Sequence, residues 1–349
     1  MKVGLVIYGP LESQSGGYLF DRMLVSKLRG LGDVVDIVSL PPRRYAAHLL
    51  DNVVYRNNSD VDVLVQDELN HPSLLLANGR LHRSPIISIV HHLRSSEKRP
   101  LWENAIYRLI ERGYLNSVDG FIFNSEVTRE SVQLLAGRPK PFVVATPGGD
   151  RLGRSTPEHV MQRALQPGPL RLIYVGSLTP AKGLDVLLDA LAVLPRADFS
   201  LDVVGTGAAA PRFAERMRRT AGDLRLPAKF CGELDDRALE EKLRNSHVMV
   251  LPSYYEGFGI AYLEGMAHGL PAVGTVAGAI PDLVTDGVDG YLVSPGDAGG
   301  LADRIRALGY ERELLARLGV AALRRFTVFP TWEQTTERIR DFLFSVAVH

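Results

Sequence analysis

The feature that most limits the fold of this chain is a repeated alternation of short β-rich runs with helical stretches. In the first half, apolar and β-branched runs predict buried strands at residues 2–9, 34–40, 61–67, 85–92, 120–125 and 141–148. Stretches with helical spacing, such as YLFDRMLVSKLRGLG and SEVTRESVQLLAG, lie between these runs. Because strands that alternate with helices form parallel sheets covered on both faces, we expect an α/β domain.

The second half of the chain repeats this pattern. Buried strands are predicted at residues 170–176, 199–205, 228–232, 247–253, 271–275 and 290–295. The segment from Arg154 to Pro169 is polar and contains prolines, which predicts a linker. A length of 349 residues also favours two domains. We therefore predict α/β domains at residues 1–165 and 166–330 with a cleft between them, and a helix over residues 331–349.

Composition excludes several classes of function. Lysine plus arginine equals aspartate plus glutamate at 40 each, so no net charge recruits nucleic acid. The single cysteine, Cys231, excludes an intrachain disulfide and a cysteine-based metal cluster, which favours a reducing, cytoplasmic location. The N-terminal run MKVGLVIYG is interrupted too early for a signal peptide.

The sequence is compatible with contact between this protein and a membrane surface. No run of 18 apolar residues exists, so we predict no membrane-spanning helix. Residues 101–118 have helix-spaced apolar positions with Arg108 and Arg112 between them. This pattern fits a surface helix packed on a core, the interpretation we favour, or a helix that lies on the inner face of a membrane.

The strongest functional motif is a pair of glutamates, Glu256 and Glu264, in the segment PSYYEGFGIAYLE. Gly257 and Gly259 follow the first glutamate, and an apolar stretch follows them, which predicts a loop that leads into a helix. Backbone amides at such a helix N-terminus favour a negatively charged ligand.

Two loops in the second half are candidates for phosphate binding. Lys182 lies between a predicted strand and a predicted helix, and its position suits a phosphate or diphosphate, although a solvated loop lysine is the alternative. The run from Gly205 to Ala210 formally fits a dinucleotide-binding motif. Because a helical stretch stands where that motif needs an acidic residue about 20 positions on, we favour a tight turn, at Gly207, near a bound anion.

The first half carries weaker signals. Gly16 and Gly17 follow the first strand, where backbone can approach a ligand or simply turn. His91 ends a buried strand, where a structural histidine is the alternative to a catalytic one. The chain has no HExxH pattern, and Asp60 and Asp62 lie at the start of a predicted strand, so we expect no bound metal.

Together these residues resemble a known family, the retaining nucleotide-sugar glycosyltransferases of family 4, which have the GT-B fold. The resemblance covers nearly the whole chain and is more specific in the second half. It rests on Gly16-Gly17, His91, Asn124-Ser125-Glu126, Gly176 with Lys182-Gly183, Gly205-Thr206-Gly207, and PSYYEGFGIAYLEGMAHGLPAV with its E-x7-E signature. The family implies two Rossmann-like domains, with the final helix crossing back to the first.

The resemblance also implies roles for individual residues. Lys182 would bind the diphosphate of the donor, Glu264 its ribose hydroxyls, and Glu256 the transferred sugar. Backbone amides would line the sugar and phosphate at Gly257, Phe258 and Gly259. Further substrate contacts would come from Gly16 and Gly17, which would close on the diphosphate from the first domain, from His91 beside the reacting centre, and from Asn124, Ser177 and Gly207. The stretch from Cys231 to Leu234 would neighbour the base.

One departure from the family pattern concerns phosphate binding. Many relatives have an arginine where this chain has Ser177, which can donate a hydrogen bond but carries no charge. Lys182 and backbone amides would then neutralise more of the diphosphate, or another arginine would reach in.

The predicted function is transfer of a hexose from a UDP- or GDP-sugar, with no cofactor and no metal. The sequence does not distinguish three classes of acceptor: a cell-envelope polysaccharide or other glycan, a lipid-linked sugar, and a small metabolite. Basic residues that would face an anionic acceptor or lipid, or form a solvated face, are Arg43, Arg44, Arg94, Lys98 and Arg99. The alternatives are a nucleotide-sugar epimerase, a phosphorylase-like enzyme and a non-catalytic nucleotide-sugar-binding subunit.

Overall fold

The chain forms two compact units. The structure is a computed structural model, and it describes residues 1–13, 15–54, 60–80, 84–97 and 99–347. The first unit comprises Met1–Gly148 and Pro330–His349, and the second comprises Gly149–Phe329. The division between the units therefore falls at residues 148 and 149, earlier than the boundary at residues 165 and 166 that the sequence predicted.

The first unit is built on a parallel sheet. Within the described residues it has six strands: β1 (Lys2–Tyr8), β2 (Val34–Leu40), β3 (Val63–Asp67), β4 (Ile86–Val90), β5 (Gly120–Phe123) and β6 (Phe142–Val144). Their order is β2-β1-β3-β4-β5-β6, and all neighbours are parallel. Every residue of β3, β4 and β5 is buried, as expected for a sheet covered on both faces. The strands predicted in this half are confirmed.

Helices follow the strands of the first unit. They are α1 (Gly16–Gly30), α2 (Tyr45–His48), α3 (Asp51–Val54), α4 (His71–Leu74), α5 (Leu101–Ser117) and α6 (Glu126–Leu135). Serine side chains cap the two helices that begin nearest the predicted site residues. Ser15 accepts a hydrogen bond from the Tyr18 amide, and Ser125 accepts one from the Thr128 amide. Such caps satisfy backbone donors that have no partner within the helix.

The second unit repeats the design. Within the described residues its sheet has six parallel strands: β7 (Leu170–Val175), β8 (Phe199–Val204), β9 (Ala228–Gly232), β10 (Val248–Val250), β11 (Ala272–Thr275) and β12 (Gly290–Val293). The strand order is β12-β11-β10-β7-β8-β9, so the direction of the winding reverses between β7 and β10. In open parallel sheets, ligands bind beyond the carboxyl ends of the strands at such a reversal.

The helices of the second unit include one that the sequence did not predict. They are α7 (Pro157–Leu165), α8 (Leu184–Ala192), α9 (Pro211–Asp223), α10 (Asp236–Asn245), α11 (Ile260–Ala267), α12 (Ile280–Leu283), α13 (Ala298–Tyr310) and α14 (Arg312–Phe326). The predicted linker contains α7, which packs against α14 and buries Val160 and Ala164. Its first residues are typical of a helix start, because Thr156 caps it and Pro157 needs no amide donor in the first turn.

The final helix, α15 (Trp332–Ala347), is part of the first unit. It packs on α1, where the ring of Trp332 meets the ring of Phe20 edge-on at 5.6 Å between centroids. Arg340 adds an ion pair with the buried Asp33, at 2.5 Å from Nε to Oδ2. Among the described residues, no helix has both the length and the apolar character needed to cross a membrane.

Candidate functional site

Lys182 and Glu256 meet at the winding reversal of the second sheet. Lys182 lies in the loop after β7 and Glu256 in the loop after β10. The two loops pack backbone to backbone, because the Tyr254 amide donates to the Ala181 carbonyl at 2.8 Å. Gly183, at φ 66°, has no room for a side chain, since a Cβ there would lie 2.0 Å from the Pro252 carbonyl oxygen. The strand order and this close approach together place both side chains at one edge of the sheet.

The two side chains form a direct ion pair. Lys182 Nζ donates to Glu256 Oε1 at 2.6 Å, and Ser253 Oγ donates to the same oxygen at 2.9 Å. The Glu256 side chain is 12% exposed and that of Lys182 is 31% exposed. An ammonium group has three N–H donors, so this pairing leaves Lys182 with donors for an anion.

The segment that follows Glu256 leads into the first turn of α11. Gly259 has φ 103°, and a Cβ there would come within 2.9 Å of the Tyr262 ring and 3.0 Å of Ile280. Phe258 turns its ring inward against Phe329, so only its backbone is available at this turn. The structure therefore presents Gly257, Phe258 and Gly259 as a turn at the N-terminus of a helix, which favours negative charge.

Glu264 lies inside α11, buried, and it has a partner that the sequence analysis missed. Arg151 reaches it from the turn at the start of the second unit, with Nε 2.9 Å and Nη2 2.5 Å from Glu264 Oε1. Arg151 Nη1 also donates to Asp236 at the start of α10. Burial raises the pKa of the Glu264 carboxyl, and Arg151 offsets this only in part.

The loops that carry Ser177 and Gly207 lie side by side. The Leu178 amide donates to the Thr206 carbonyl at 2.8 Å. Gly205, at φ 137°, approaches Gly176 so closely that a Cβ would lie 2.0 Å from the Gly176 carbonyl oxygen. Beside them, the Gly205 amide donates to the Gly232 carbonyl at 2.8 Å, which brings the predicted base-binding stretch next to this turn. Ser177 adds no charge to the site.

In the first unit, the structure brings His91 together with Gly17 and Asn124. A Cβ on Gly17 would lie 3.0 Å from Cδ2 of the His91 ring, whereas a Cβ on Gly16 would meet open space. Asn124 Nδ2 donates to the His91 carbonyl at 2.9 Å. These residues follow β1, β4 and β5, so they share the carboxyl edge of the first sheet.

Two buried aspartates beside His91 were not found from the sequence. His91 Nε2 lies 3.5 Å from Oδ1 of Asp21, whose side chain is fully buried in α1. Burial lowers the pKa of the His91 imidazole. The contact with Asp21 and the charge of Asp67 raise it by more than burial lowers it, so the net shift is upward. Burial and the charge of Asp21 raise the pKa of Asp67 to about 7.

Two clusters in the first unit have metal-ligand chemistry. Asp21, Asp67 and His91 each offer one ligand atom within 4.8 Å of the others, as do Glu68, His71 and Glu111 among the described residues. Carboxylates with an imidazole form a donor set that divalent cations accept. In the first cluster, the upward shift in the pKa of His91 favours a different arrangement, in which the protonated ring is itself the cation beside Asp21.

Some of the basic residues predicted for the acceptor side have structural partners. The guanidinium of Arg94 lies over the rings of Tyr45 and Tyr107, at 5.0 and 4.9 Å from their centroids. Arg99 pairs with Glu97 at 2.7 Å. Arg43 is 3.3 Å from Asp51, and Lys98 lies outside the described residues.

The sheets resemble those of solved glycosyltransferases. Sucrose-phosphate synthase from Thermosynechococcus elongatus matches with a TM-score of 0.85 and 19% identity over 99% of both chains. HepE from Anabaena, solved in complex with UDP-glucose, matches with a TM-score of 0.79 and 18% identity over 99% of this chain and all of that one. These similarities show the GT-B fold, built from two Rossmann-like halves, which confirms the predicted fold class.

Sequence comparison gives the family. Residues 169–309 match the family model described as glycosyl transferases group 1. The phosphatidyl-myo-inositol mannosyltransferase of Mycobacterium leprae is 30% identical over 288 residues, which are 77% of this chain and 70% of that protein. The chain belongs to this family of GT-B glycosyltransferases.

This chain matches only about a third to a half of the length of two other relatives. Sulfoquinovosyl transferase SQD2 of Arabidopsis thaliana is 32% identical over 180 residues, which are 51% of this chain and 34% of that protein. The D-inositol 3-phosphate glycosyltransferase of Geodermatophilus obscurus is 32% identical over 244 residues, and the chain spans 53% of its length.

Proposed function

We propose that this protein is a retaining, metal-independent hexosyltransferase that uses a UDP- or GDP-sugar. The observation that carries the proposal is the ion pair of Lys182 with Glu256 at the winding reversal of the second sheet, with Glu264 eight residues further on in α11. This arrangement puts a cation, a helix N-terminus and a buried carboxylate at the place where α/β folds bind nucleotides.

The chemistry needs stabilisation of the departing nucleoside diphosphate. As the bond from the anomeric carbon to the phosphate oxygen breaks, negative charge develops on that oxygen. Preorganised donors aimed at developing charge give the largest catalytic benefit. Lys182 and the amides at the start of α11 supply such donors from this chain. They would replace the charge that a metal ion, or an arginine at position 177, supplies in other enzymes.

Glu256 is a positioning group for the sugar rather than a nucleophile. Its Oε1 already accepts from both Lys182 and Ser253, at 2.6 and 2.9 Å. These two donors stabilise the negative charge on Oε1, while Oε2 can accept hydrogen bonds from sugar hydroxyls. Retention then follows from attack by the acceptor on the face that the diphosphate leaves, with the phosphate oxygen taking the acceptor's proton.

UDP is the nucleotide we propose first. HepE, which shares the fold, was solved in complexes with UDP and with UDP-glucose. In this chain Glu264 would receive the ribose hydroxyls, and the stretch from Cys231 to Leu234 would lie beside the base. His91, next to Gly17 in the first unit, would contact the transferred hexose.

Release of nucleoside diphosphate tests the reaction class. A transferase releases UDP or GDP in proportion to product when donor and acceptor are both present. The variant Lys182→Ala should lower turnover by about 100-fold or more, because it removes a preorganised charge. Glu264→Ala raises the KM for the donor. Near-normal turnover by Lys182→Ala contradicts the assignment of the phosphate site.

The same assay separates the alternatives. An epimerase converts the nucleotide-sugar without net release of diphosphate. A phosphorylase-like enzyme releases a sugar phosphate only when inorganic phosphate is added. A non-catalytic subunit binds UDP or GDP but turns over neither donor with any acceptor offered.

We also propose that α5 rests on an anionic membrane surface. Its outward face is apolar, with Leu101 89%, Trp102 68% and Leu109 74% exposed. Arg108 and Arg112 are exposed on the same helix, whereas Glu111 is buried. An apolar stripe with a tryptophan and flanking arginines is the pattern of helices that lie in the interface of anionic bilayers.

Vesicle binding tests this location. With the wild type, phosphatidylglycerol vesicles should sediment the protein and shift tryptophan emission to the blue, because Trp332, the other tryptophan, is already buried. Leu101→Ser with Leu109→Ser should lose both effects, and Leu134→Ser, at an exposed leucine of α6, should keep them. Equal binding by the double variant, or no binding of these vesicles by the wild type, contradicts the proposal.

A further inference from the structure

Arg151 lies in a turn whose backbone passes close to two helices of the second unit. It lies in a turn between Gly149 and Gly153, and both glycines are in close contact with helices of the second unit. A Cβ on Gly149 would lie 2.4 Å from the Phe326 ring in α14, and one on Gly153 would lie 2.4 Å from Glu240 Oε1 in α10. The Arg151 side chain is only 12% exposed. Its guanidinium is therefore largely shielded from solvent.

The geometry of the contact with Glu264 is one-sided. Both Arg151 Nε and Nη2 donate to Oε1, at 2.9 and 2.5 Å, and Nη1 turns away to Asp236. Arg151 thus occupies one carboxylate oxygen and leaves Oε2 of Glu264 to accept other hydrogen bonds. Each carboxylate oxygen can accept two, so Oε2 suffices for a pair of vicinal hydroxyls.

We propose that Arg151 is a positioning residue for the ribose subsite, which fixes the ionised Glu264 and directs its Oε2 to the ribose hydroxyls. The inference rests on the proposed function, in which Glu264 receives the ribose. It adds a residue that does not itself contact the nucleotide. In this role Arg151 acts on the ribose subsite and does not replace the arginine that many relatives have at position 177.

The electrostatics of Glu264 support this role. Its carboxyl is buried in α11, and the charged groups that act on it are Arg151 and, from α10, Asp236. Burial raises its pKa, Arg151 lowers it, and Asp236 raises it. Removal of Arg151 would leave only the two upward influences, so protonation of Glu264 would move towards neutral pH. A protonated carboxyl loses acceptor capacity, and ribose binding would then weaken as the pH falls.

Calorimetric titration with UDP and with 2′-deoxy-UDP tests the proposal on the full chain. The wild type should prefer UDP by about tenfold, because a hydrogen bond to a charged group is worth about 1.5–3 kcal/mol, and this preference should hold from pH 6 to pH 8. Arg151→Met should discriminate by about twofold or less, and its UDP affinity relative to that of the wild type at the same pH should fall from pH 8 to pH 6. Arg151→Lys should restore part of the discrimination.

A matched variant separates this role from general loss of charge or stability. Arg306→Met removes an arginine that pairs with Asp303 on the exposed side of α13, and it should bind both nucleotides as the wild type does. Far-UV circular dichroism and melting curves show whether each variant is folded. If Arg151→Met loses its fold, discrimination by Arg151→Lys across the same pH range gives the answer.

The outcomes distinguish this proposal from the one on which it rests. Unchanged discrimination in Arg151→Met, with UDP binding independent of pH, overturns the role of Arg151 and leaves the donor site intact. Tighter UDP binding by Arg151→Met also overturns it, because the arginine would then be blocking the site. If the wild type binds neither UDP nor GDP, both proposals fail. If GDP is preferred, GDP and 2′-deoxy-GDP replace the uridine pair.

Discussion

At the scale of single residues, the candidate functional groups of each unit are charges that have an oppositely charged partner. Lys182 pairs with Glu256, Arg151 with Glu264, and His91 with Asp21. Each partner offsets part of the cost of burying the other's charge. Among these pairs, that of His91 can be tested by titration.

The His91 pair makes a prediction about pH. The pKa of His91 is raised above its ordinary value, so its charged form persists to higher pH than in the unfolded chain. The stability that this gives is fully present below the unfolded pKa of about 6.5 and is lost as the pH rises through the folded pKa. In Asp21→Asn the His91 pKa should fall, which NMR titration of the imidazole signals would show, with His91→Gln to assign them. An unchanged His91 pKa in Asp21→Asn contradicts the ion pair.

At the scale of elements, the site depends on where α11 begins. Gly259 takes φ 103° there, with Tyr262 and Ile280 against the position of a Cβ. Gly278 supports the same loop from behind, because a Cβ there would lie 1.9 Å from the Glu256 carbonyl oxygen. The turn at residues 257–259 is thus packed closely against side chains at Gly259 and against backbone at Gly278.

Gly259→Ala should therefore destabilise the protein by about 1–3 kcal/mol, because it forces alanine into a left-handed backbone conformation in a crowded place. Urea unfolding would measure this difference. Gly222→Ala is the matched control, since Gly222 lies in α9 with open space around it and should be neutral or gain about 0.5–1 kcal/mol. Equal free energies of unfolding for the two variants would show that Gly259 is replaceable.

At the scale of the whole molecule, the end of the chain completes the first unit through α15. Trp332 is 1% exposed and packs on Phe20, whereas Trp102, on α5, is 68% exposed. Trp332→Ala should cost about 3–5 kcal/mol of unfolding free energy, the usual loss for a large buried aromatic residue. Trp102→Ala should change it by less than about 0.5 kcal/mol. Denaturant titration of both variants checks this, and similar losses from both would contradict the packing of α15.

The fold was largely predictable from the sequence, and the site only in part. Parallel strands are buried on both faces, so they appear as local apolar runs, and each predicted strand is present in the structure. The helix α7 was not predicted, because its polar, proline-bearing sequence also suits a linker. Lys182 and Glu256 were found because each lies in a loop with recognisable glycines. Arg151 was missed because its partner, Glu264, is 113 residues away and only the topology brings them together.

The central claim is that Lys182 binds the diphosphate of a nucleotide-sugar in the second unit. Calorimetric titration of UDP and of uridine into the wild type and Lys182→Ala tests it most directly, because the two ligands differ only in the phosphates. The account predicts that Lys182→Ala binds UDP about tenfold or more weakly, as expected for loss of a charged hydrogen bond, while its affinity for uridine is unchanged. Equal UDP affinity for the two proteins, or a parallel loss of uridine binding, would contradict it.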